Sequence, residues 1–330
     1  MQYTLTVGRP RVFITRALPR QATSLIEGSC DADIWPSPLP PPRRDLLDHV
    51  RGVDGILSLL TDPIDARVIE AAPGLQVISN CAVGVDNVNV QAATRRKIPV
   101  GNTPDVLTDA TADMAFALLL AAARRIVEGV QYVRAGKWQT WNLQLFLGAD
   151  LAGATLGIVG FGRIGRAVAR RGQGFGLKAH YCDPRAEPAF EAVPVDLDTL
   201  LRESDFVSLH VPLTPATHHM INAGSLAKMK PGAILINTAR GPIVDHQALH
   251  EALQSGRLGA AALDVTEPEP LPPDSPLLKL ANCIVLPHLG SASQWTREQM
   301  ALLAARNLLA GVQGKRLPHC VNPEVYQTDG

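Results

Sequence analysis

In the stretch "ALDVTEPEPLPPDSPLLKLANCIVLPHLG", Ala262 to Gly290, Glu269 sits inside a proline-rich run and His288 follows a short apolar segment. Carboxylates and imidazoles are the side chains of general acid–base chemistry. An imidazole titrates near neutrality, and a carboxylate beside it orients the ring and favours its charged form. These two lie 19 residues apart, so only folding can bring them together. The prolines forbid a helix and hold Glu269 in an irregular loop, while "CIVLP" reads as a buried strand that delivers His288 at its end. The competing reading is a solvated carboxylate and an ordinary strand-end histidine.

A second set of residues points to a nucleotide. "LGIVGFGRIGRAVARR" carries Gly160, Gly162 and Gly165 as G-x-G-x-x-G, with Arg163 and Ile164 inside the motif. The motif follows an apolar strand and opens a helix, which is the context that gives it meaning. Gly160 permits a tight turn, Gly162 lets backbone approach a pyrophosphate, and Gly165 lets the helix pack close to the sheet. The helix N-terminus then offers N–H groups and a positive dipole to phosphates. Asp183, 18 residues beyond Gly165, ends the next strand. An acid there accepts hydrogen bonds from a ribose diol and repels a 2′-phosphate, so NAD(H) is expected in preference to NADP(H). Arg185 leaves the second cofactor open. The bland alternative is a glycine-rich turn with no ligand.

The elements that must position these residues form two alternations. "RVFIT" (11–15), "GILSLL" (55–60), "LQVIS" (75–79) and "IPVGN" (98–102) read as strands, with helical segments near 18–28, 43–51, 64–72 and 89–97. Short buried strands alternating with helices predict a parallel sheet covered on both faces. "WPSPLPPPRR" (35–44) reads as a rigid connector. "DVLTDATADMAFALLLAAARRIVEGVQYVRAGKW" reads as one long helix, apolar nearly all round and therefore buried, that leaves the first unit and packs across the second. The stretch 134–153, with Trp138 and Trp141, fits no regular element and reads as an extended arm. From Ala154 the alternation resumes through "ATLGIVG", "KAHYCD", "FVSLHV", "AILINTA", "LGAAALDV" and "CIVLP". "QWTREQMALLAARNLLAGV" then predicts a helix returning to the first unit. His210 is left outside the site, and His218 and His219, after a T-P turn, are expected on the surface.

Composition bounds the function. The chain has 330 residues, enough for about two domains, and a formal net charge of zero. That balance argues against a nucleic-acid or anionic-membrane partner. The five cysteines are odd in number and scattered, with neither disulfide nor metal spacing. Free thiols in a reducing compartment and no bound metal are expected. The N-terminus shows no signal-like apolar run, and the most apolar stretch, Met114 to Ala123, is too short to span a bilayer. A cytoplasmic protein is expected.

In order along the chain, "GFGRIG", "VPLTPATHHMI", "INTARGPIVD", "ALDVTEPEP" and "LPHLGSAS" resemble the D-2-hydroxyacid dehydrogenases. The resemblance covers essentially the whole length. "VGVD" (83–86), "TPDVLTDATAD" (103–113), Trp138 with Trp141, and "PLLKLANCIVLPHLGSAS" are most similar to the glyoxylate/hydroxypyruvate reductase branch. The resemblance implies a Rossmann-type dinucleotide-binding domain, 104–288, inserted in a flavodoxin-like substrate domain, 1–103 and 289–330. It also implies a homodimer built through an arm at 126–153, with the cofactor in the cleft between the domains. By position, Arg240 would grip the substrate carboxylate and polarise the keto oxygen, and Glu269 with His288 would be the acid–imidazole pair. Val83 and Gly84 would bind the carboxylate through backbone N–H groups, Ser291 would touch substrate, and Trp141 would reach from the arm into the partner subunit's cleft to meet substrate there. Pro212, Thr238, Asp264 and Gly290 would line the cofactor. The chemistry agrees: an arginine fork matches a carboxylate, and an imidazole supplies the proton that a reduced ketone needs.

Departures narrow the branch. "NCAVGVDNV" lacks the lysine of phosphite-oxidising relatives, and Glu269 is present where formate dehydrogenases replace it. The length leaves no room for the regulatory domains of long phosphoglycerate dehydrogenases. The expected activity is reduction of a small 2-keto acid, glyoxylate or hydroxypyruvate, to its 2-hydroxy acid. The alternatives are a dehydrogenase for another D-2-hydroxy acid and a dinucleotide-sensing binding module of the same fold.

Overall fold

The structure, a computed structural model, describes residues 8–186 and 192–327. Two compact units divide the chain: Met1–Leu107 with Ser293–Gly330, and Thr108–Ala292. Each crossing lies four residues beyond the expected boundary. The second one shifts because Leu289 and Gly290 are hydrogen-bonded to Asp264, which keeps them with the inserted unit.

In the first unit, β1 (Arg11–Ile14), α1 (Arg20–Glu27), β2 (Asp31–Ile34), α2 (Arg43–His49), β3 (Gly55–Ser58), α3 (Ala66–Ala71), β4 (Val77–Asn80), α4 (Val90–Arg95) and β5 (Val100–Gly101) alternate. All pairs are parallel, in the order β2-β1-β3-β4-β5, which is the flavodoxin-like order. Every residue of β3 and β4 is buried. A strand covered on both faces needs no polar alternation, so "GILS" and "VISN" read as continuous apolar-to-small runs.

β2 was not anticipated. It is an edge strand with its residues exposed or half-exposed in turn, and "DADI" has too little apolar character to announce itself. α3 and α4 start on Asp65 and Asn89, whose side chains accept from Val68 N and Ala92 N and satisfy amides that the helix itself leaves bare.

In the second unit α5 (Thr108–Ala123) and α6 (Ile126–Arg134) replace the single long helix expected. Arg125 adopts a left-handed φ of 52° and breaks the ladder. No glycine or proline marks the break. Its support is tertiary: the Arg125 Nε donates to Glu128 Oε1 at 3.0 Å, and its guanidinium lies 5.0 Å from the centre of the Phe146 ring. The buried face of α5, including Phe116 and Leu119, packs on the sheet, whereas α6 has no buried residue.

The unit continues through β6 (Thr155–Val159), α7 (Arg163–Gly174), β7 (Lys178–Cys182), the short edge strand β8 (Val193–Pro194), α8 (Leu197–Glu203), β9 (Phe206–Leu209), α9 (Ala223–Lys228), β10 (Ile234–Asn237), α10 (His246–Gln254), β11 (Ala260–Leu263) and β12 (Cys283–Val285). The seven strands are parallel in the order β12-β11-β10-β9-β6-β7-β8. Counted from β6, the strand order reverses between β6 and β9. Open α/β sheets bind ligands at such a switch point, beyond the strands' carboxyl ends. α11 (Gln294–Val312) returns to the first unit and covers β3 and β4, with Ala304 and Leu308 against Leu57 and Val77.

Candidate active site

α7 differs from its neighbours in how it begins. α8, α9 and α10 are capped by the side chains of Asp196, Asn222 and Asp245. α7 starts on Gly162, which has no side chain to offer, and a Cβ there would meet open space. With no side-chain cap, this helix start suits an anion from outside the chain. Gly160, at φ +93°, turns the chain so tightly that a Cβ would lie 2.7 Å from the His210 carbonyl. At Gly165 a Cβ would sit 2.2 Å from Gly160 O, so the helix can approach the strand only as glycine. Arg163 and Ile164 form the first turn between them.

Asp183, just past β7, accepts from Phe161 N through Oδ2 and from Arg185 N through Oδ1, both at 2.9 Å. The acid is thereby tied to the glycine turn itself. Pro212 lies on the loop after β9, its carbonyl accepting from Thr217 Oγ1. The Thr238 hydroxyl is buried without a hydrogen-bond partner among the described residues, an atom that a ligand would satisfy. The bare helix start, the glycine turn and this orphaned hydroxyl together fit a dinucleotide.

Arg240 follows β10. Asn237 Nδ2 donates to its carbonyl at 2.9 Å, and its Nη1 donates to Ala239 O at 2.8 Å. The next residue, Gly241, is pressed against the loop after β11: a Cβ there would lie 1.9 Å from Thr266 O. That contact seats the arginine's strand end beside the loop carrying Glu269.

The loop delivers Glu269 to His288. Glu269 Oε1 lies 2.6 Å from His288 Nδ1, with side-chain exposures of 34% and 24%. Both residues are held. The Glu267–Pro268 and Glu269–Pro270 peptides are cis, and Thr266 Oγ1 donates to Pro268 O at 2.8 Å. His288 adopts a left-handed φ of 56°, and its amide donates to Asp264 O at 2.9 Å. The Asp264 side chain, 1% exposed, clamps the next two residues: Oδ1 accepts from Leu289 N at 2.6 Å and Oδ2 from Gly290 N at 2.7 Å. Burial pushes the Asp264 carboxyl above the usual carboxylate range, while these two amides pull it back. Asp264 thus emerges as a support of the His288 turn, a role its place after β11 did not reveal. Ser291, on the same turn, is half-buried.

Three expected residues belong elsewhere on the chain. Val83 and Gly84 lie on the loop after β4 in the first unit. Asn102 Nδ2 donates to Val83 O and Asn80 Nδ2 to Gly84 O, each at 2.9 Å, which fixes the loop's peptide planes. Trp141 is 76% exposed on the irregular stretch after α6. His210, left outside the site, sits with Nε2 2.8 Å from Ser208 Oγ, and burial holds its imidazole down at about 4. His218 and His219 meet Glu267, 48 residues further on, a convergence that spacing could not show.

The fold is that of a nucleotide-dependent α/β enzyme: a Rossmann-ordered sheet inserted in a flavodoxin-ordered one. The family model for the D-isomer specific 2-hydroxyacid dehydrogenase, NAD binding domain, matches residues 116–290. A curated relative, the glyoxylate reductase of Korarchaeum cryptofilum, is 52% identical over 324 residues, covering 97% of this chain and 98% of that one. A crystal structure from Thermus thermophilus superposes with a TM-score of 0.90 at 49% identity, covering 94% of this chain and 99% of that one. The NADPH-dependent glyoxylate/hydroxypyruvate reductase of Sinorhizobium meliloti, solved with NADP and malonate, gives a TM-score of 0.87 at 32% identity, covering 98% and 100%. The chain belongs to the D-isomer-specific 2-hydroxyacid dehydrogenase family.

Proposed function

We propose that the protein reduces small 2-keto acids, glyoxylate and hydroxypyruvate first, to their 2-hydroxy acids. The observation that carries this reading is the 2.6 Å contact between His288 Nδ1 and Glu269 Oε1, on a turn clamped by Asp264 and beside the strand end of Arg240. A bound nicotinamide supplies the hydride. The glycine turn and α7 start hold its pyrophosphate, Asp183 its ribose, and Pro212, Thr238, Asp264 and Gly290 line it.

The chain's own residues do the rest. Arg240 takes the substrate carboxylate through its planar fork and polarises the keto oxygen. The amides of Val83 and Gly84 add a second carboxylate grip, Ser291 contacts the substrate, and Trp141 reaches into the partner subunit's cleft. Glu269 occupies Nδ1 of His288, so Nε2 is the atom that faces the developing alkoxide and gives up its proton. Solvent then reprotonates the ring. NAD(H) is the preferred cofactor: a carboxylate at the end of the second strand, here Asp183 tied to the glycine turn through Phe161 N, would repel a 2′-phosphate.

The working form is a homodimer made through residues 126–153. That stretch exposes Ile126 (50%), Val133 (53%), Trp138 (64%), Trp141 (76%) and Leu143 (71%), an apolar surface of the kind that a partner covers. A cytoplasmic location is supported by five free cysteines. No helix among the described residues is long and apolar enough to cross a membrane.

A panel of 2-keto acids, each with NADH and NADPH, tests the reading. Turnover of glyoxylate with higher kcat/KM for NADH is the expected result, and Asp183→Ser shifts that preference towards NADPH. Tight dinucleotide binding without turnover of any acid would instead mark a binding module.

A further inference from the structure

His218 and His219 are neighbours in sequence whose rings stack with centroids 4.0 Å apart. Consecutive side chains normally diverge, to opposite faces of a strand or by about 100° around a helix. Here His219 adopts a left-handed φ of 49°, which swings its ring over that of His218. The conformation is locked at both of its peptide groups. His219 N donates to Pro242 O at 2.8 Å, and Asn222 Nδ2 donates to His219 O at 2.9 Å.

The third member comes from the proline-rich loop: Glu267 Oε2 lies 3.0 Å from His219 Nε2. One donor atom from each of His218, His219 and Glu267 falls within 4.8 Å of the other two. His219 and Glu267 are 39% and 40% exposed, so solvent reaches the cluster. Behind it, both ring nitrogens of His246 are shut off from water beside Glu267.

We propose that His218, His219 and Glu267 form a binding site for one divalent transition-metal ion of the zinc class, ligated by two imidazole nitrogens and one carboxylate oxygen with water in the open position. Imidazole and carboxylate donors select such ions over magnesium or calcium, which take oxygen ligands. Tetrahedral bonds of about 2.0–2.1 Å need donors roughly 3.3 Å apart. The His219–Glu267 pair is already at 3.0 Å, and the exposed His218 ring leaves the stack and rotates to bring its nitrogen, now within 4.8 Å of the other donors, in line with the ion. The ion ties the turn before α9 to the loop after β11, two residues from Glu269. This site is separate from the reductase chemistry and does not depend on it.

The test is a calorimetric titration of the full-length protein with Zn2+ at pH 7.5, repeated with Co2+ to read the absorption of a tetrahedral ion. Wild type binds one ion per chain and melts at a higher temperature with Zn2+ than without. His218→Ala and Glu267→Gln each weaken binding tenfold or more and abolish the rise in melting temperature. His218→Ala keeps its backbone amide bond to Thr214 O, so it retains the turn. His288→Ala, which removes the other imidazole on a glutamate of this loop, leaves affinity unchanged. The proposal is overturned if wild type binds no ion at this stoichiometry. It is equally overturned if affinity survives His218→Ala and Glu267→Gln, or is lost with His288→Ala.

Discussion

One proline-rich loop carries two glutamates, and each meets a histidine: Glu269 with His288 at 2.6 Å and Glu267 with His219 at 3.0 Å. The two pairs have the same chemistry and similar exposure. What differs is their surroundings. His288 sits on a turn whose next two amides are gripped by a buried carboxylate. His219 has a second imidazole stacked on it, and its amide donates to Pro242 O, two residues after Arg240. An acid–imidazole contact is therefore not a catalytic signature in itself. The clamped turn makes one pair fit for proton transfer, and the second imidazole gives the other a further donor for a metal.

The comparison breaks most sharply at the histidines. His288→Ala should lower kcat/KM for glyoxylate by roughly 10²- to 10⁴-fold, the range for a missing general acid. His219→Ala should stay within about twofold by the same steady-state assay. Equal losses would erase the distinction between the pairs.

Arg240→Lys tests the cation. It keeps the charge but loses the fork, and kcat/KM should fall by about 10²-fold, roughly 3 kcal/mol of transition-state stabilisation. Dinucleotide binding, followed by fluorescence, should change little.

A third imidazole, His210, sharpens the contrast because, among the described residues, its side-chain partner is the Ser208 hydroxyl and not a carboxylate. Burial depresses it from 6.5 to about 4, so the folded state holds it neutral. A depressed histidine contributes stability that is complete above the unfolded value and is lost as pH falls from about 6.5 through 4. The difference amounts to at most about 3 kcal/mol, a ceiling because the residue is not sealed from solvent. Denaturant midpoints measured between pH 7 and 4 should fall for wild type and flatten for His210→Gln.

The smallest effect separates the glutamates. Glu269→Gln should cost about tenfold in kcat/KM at neutral pH, about 1.4 kcal/mol, by loosening the imidazole's orientation. Glu267→Gln should leave the rate within about twofold while it weakens Zn2+ binding.

These pairs also show what sequence can and cannot disclose. The G-x-G-x-x-G turn was legible because its spacing is local, within one strand–turn–helix, although the contact that Gly160 answers, with the His210 carbonyl, comes from the end of another strand. α11 spans the residues that its apolar pattern marked. Glu269 and His288 were legible as candidate chemistry, but their contact needed the family resemblance. The Asp264 clamp bridges 25 residues to Leu289, and the His219–Glu267 pair bridges 48. Nothing in spacing announces either. The Arg125 break was hidden for a related reason: its support comes from Glu128 and Phe146, not from a residue type that ends helices.

The return of α11 to the first unit has a consequence for synthesis. Between Leu107 and Ser293 the ribosome makes the 185 residues of the other unit, which takes roughly 10–40 s at 5–20 residues per second. Throughout that interval the face of β1, β3 and β4 that Ala301, Ala304, Ala305 and Leu308 will cover is exposed, with Val12, Ile14, Leu57 and Val77 on it. The inserted unit holds all its strands before α11 exists. The order of maturation is thus the reverse of the order of translation: the half begun first is finished last, because its sheet cannot be covered until α11 has been made.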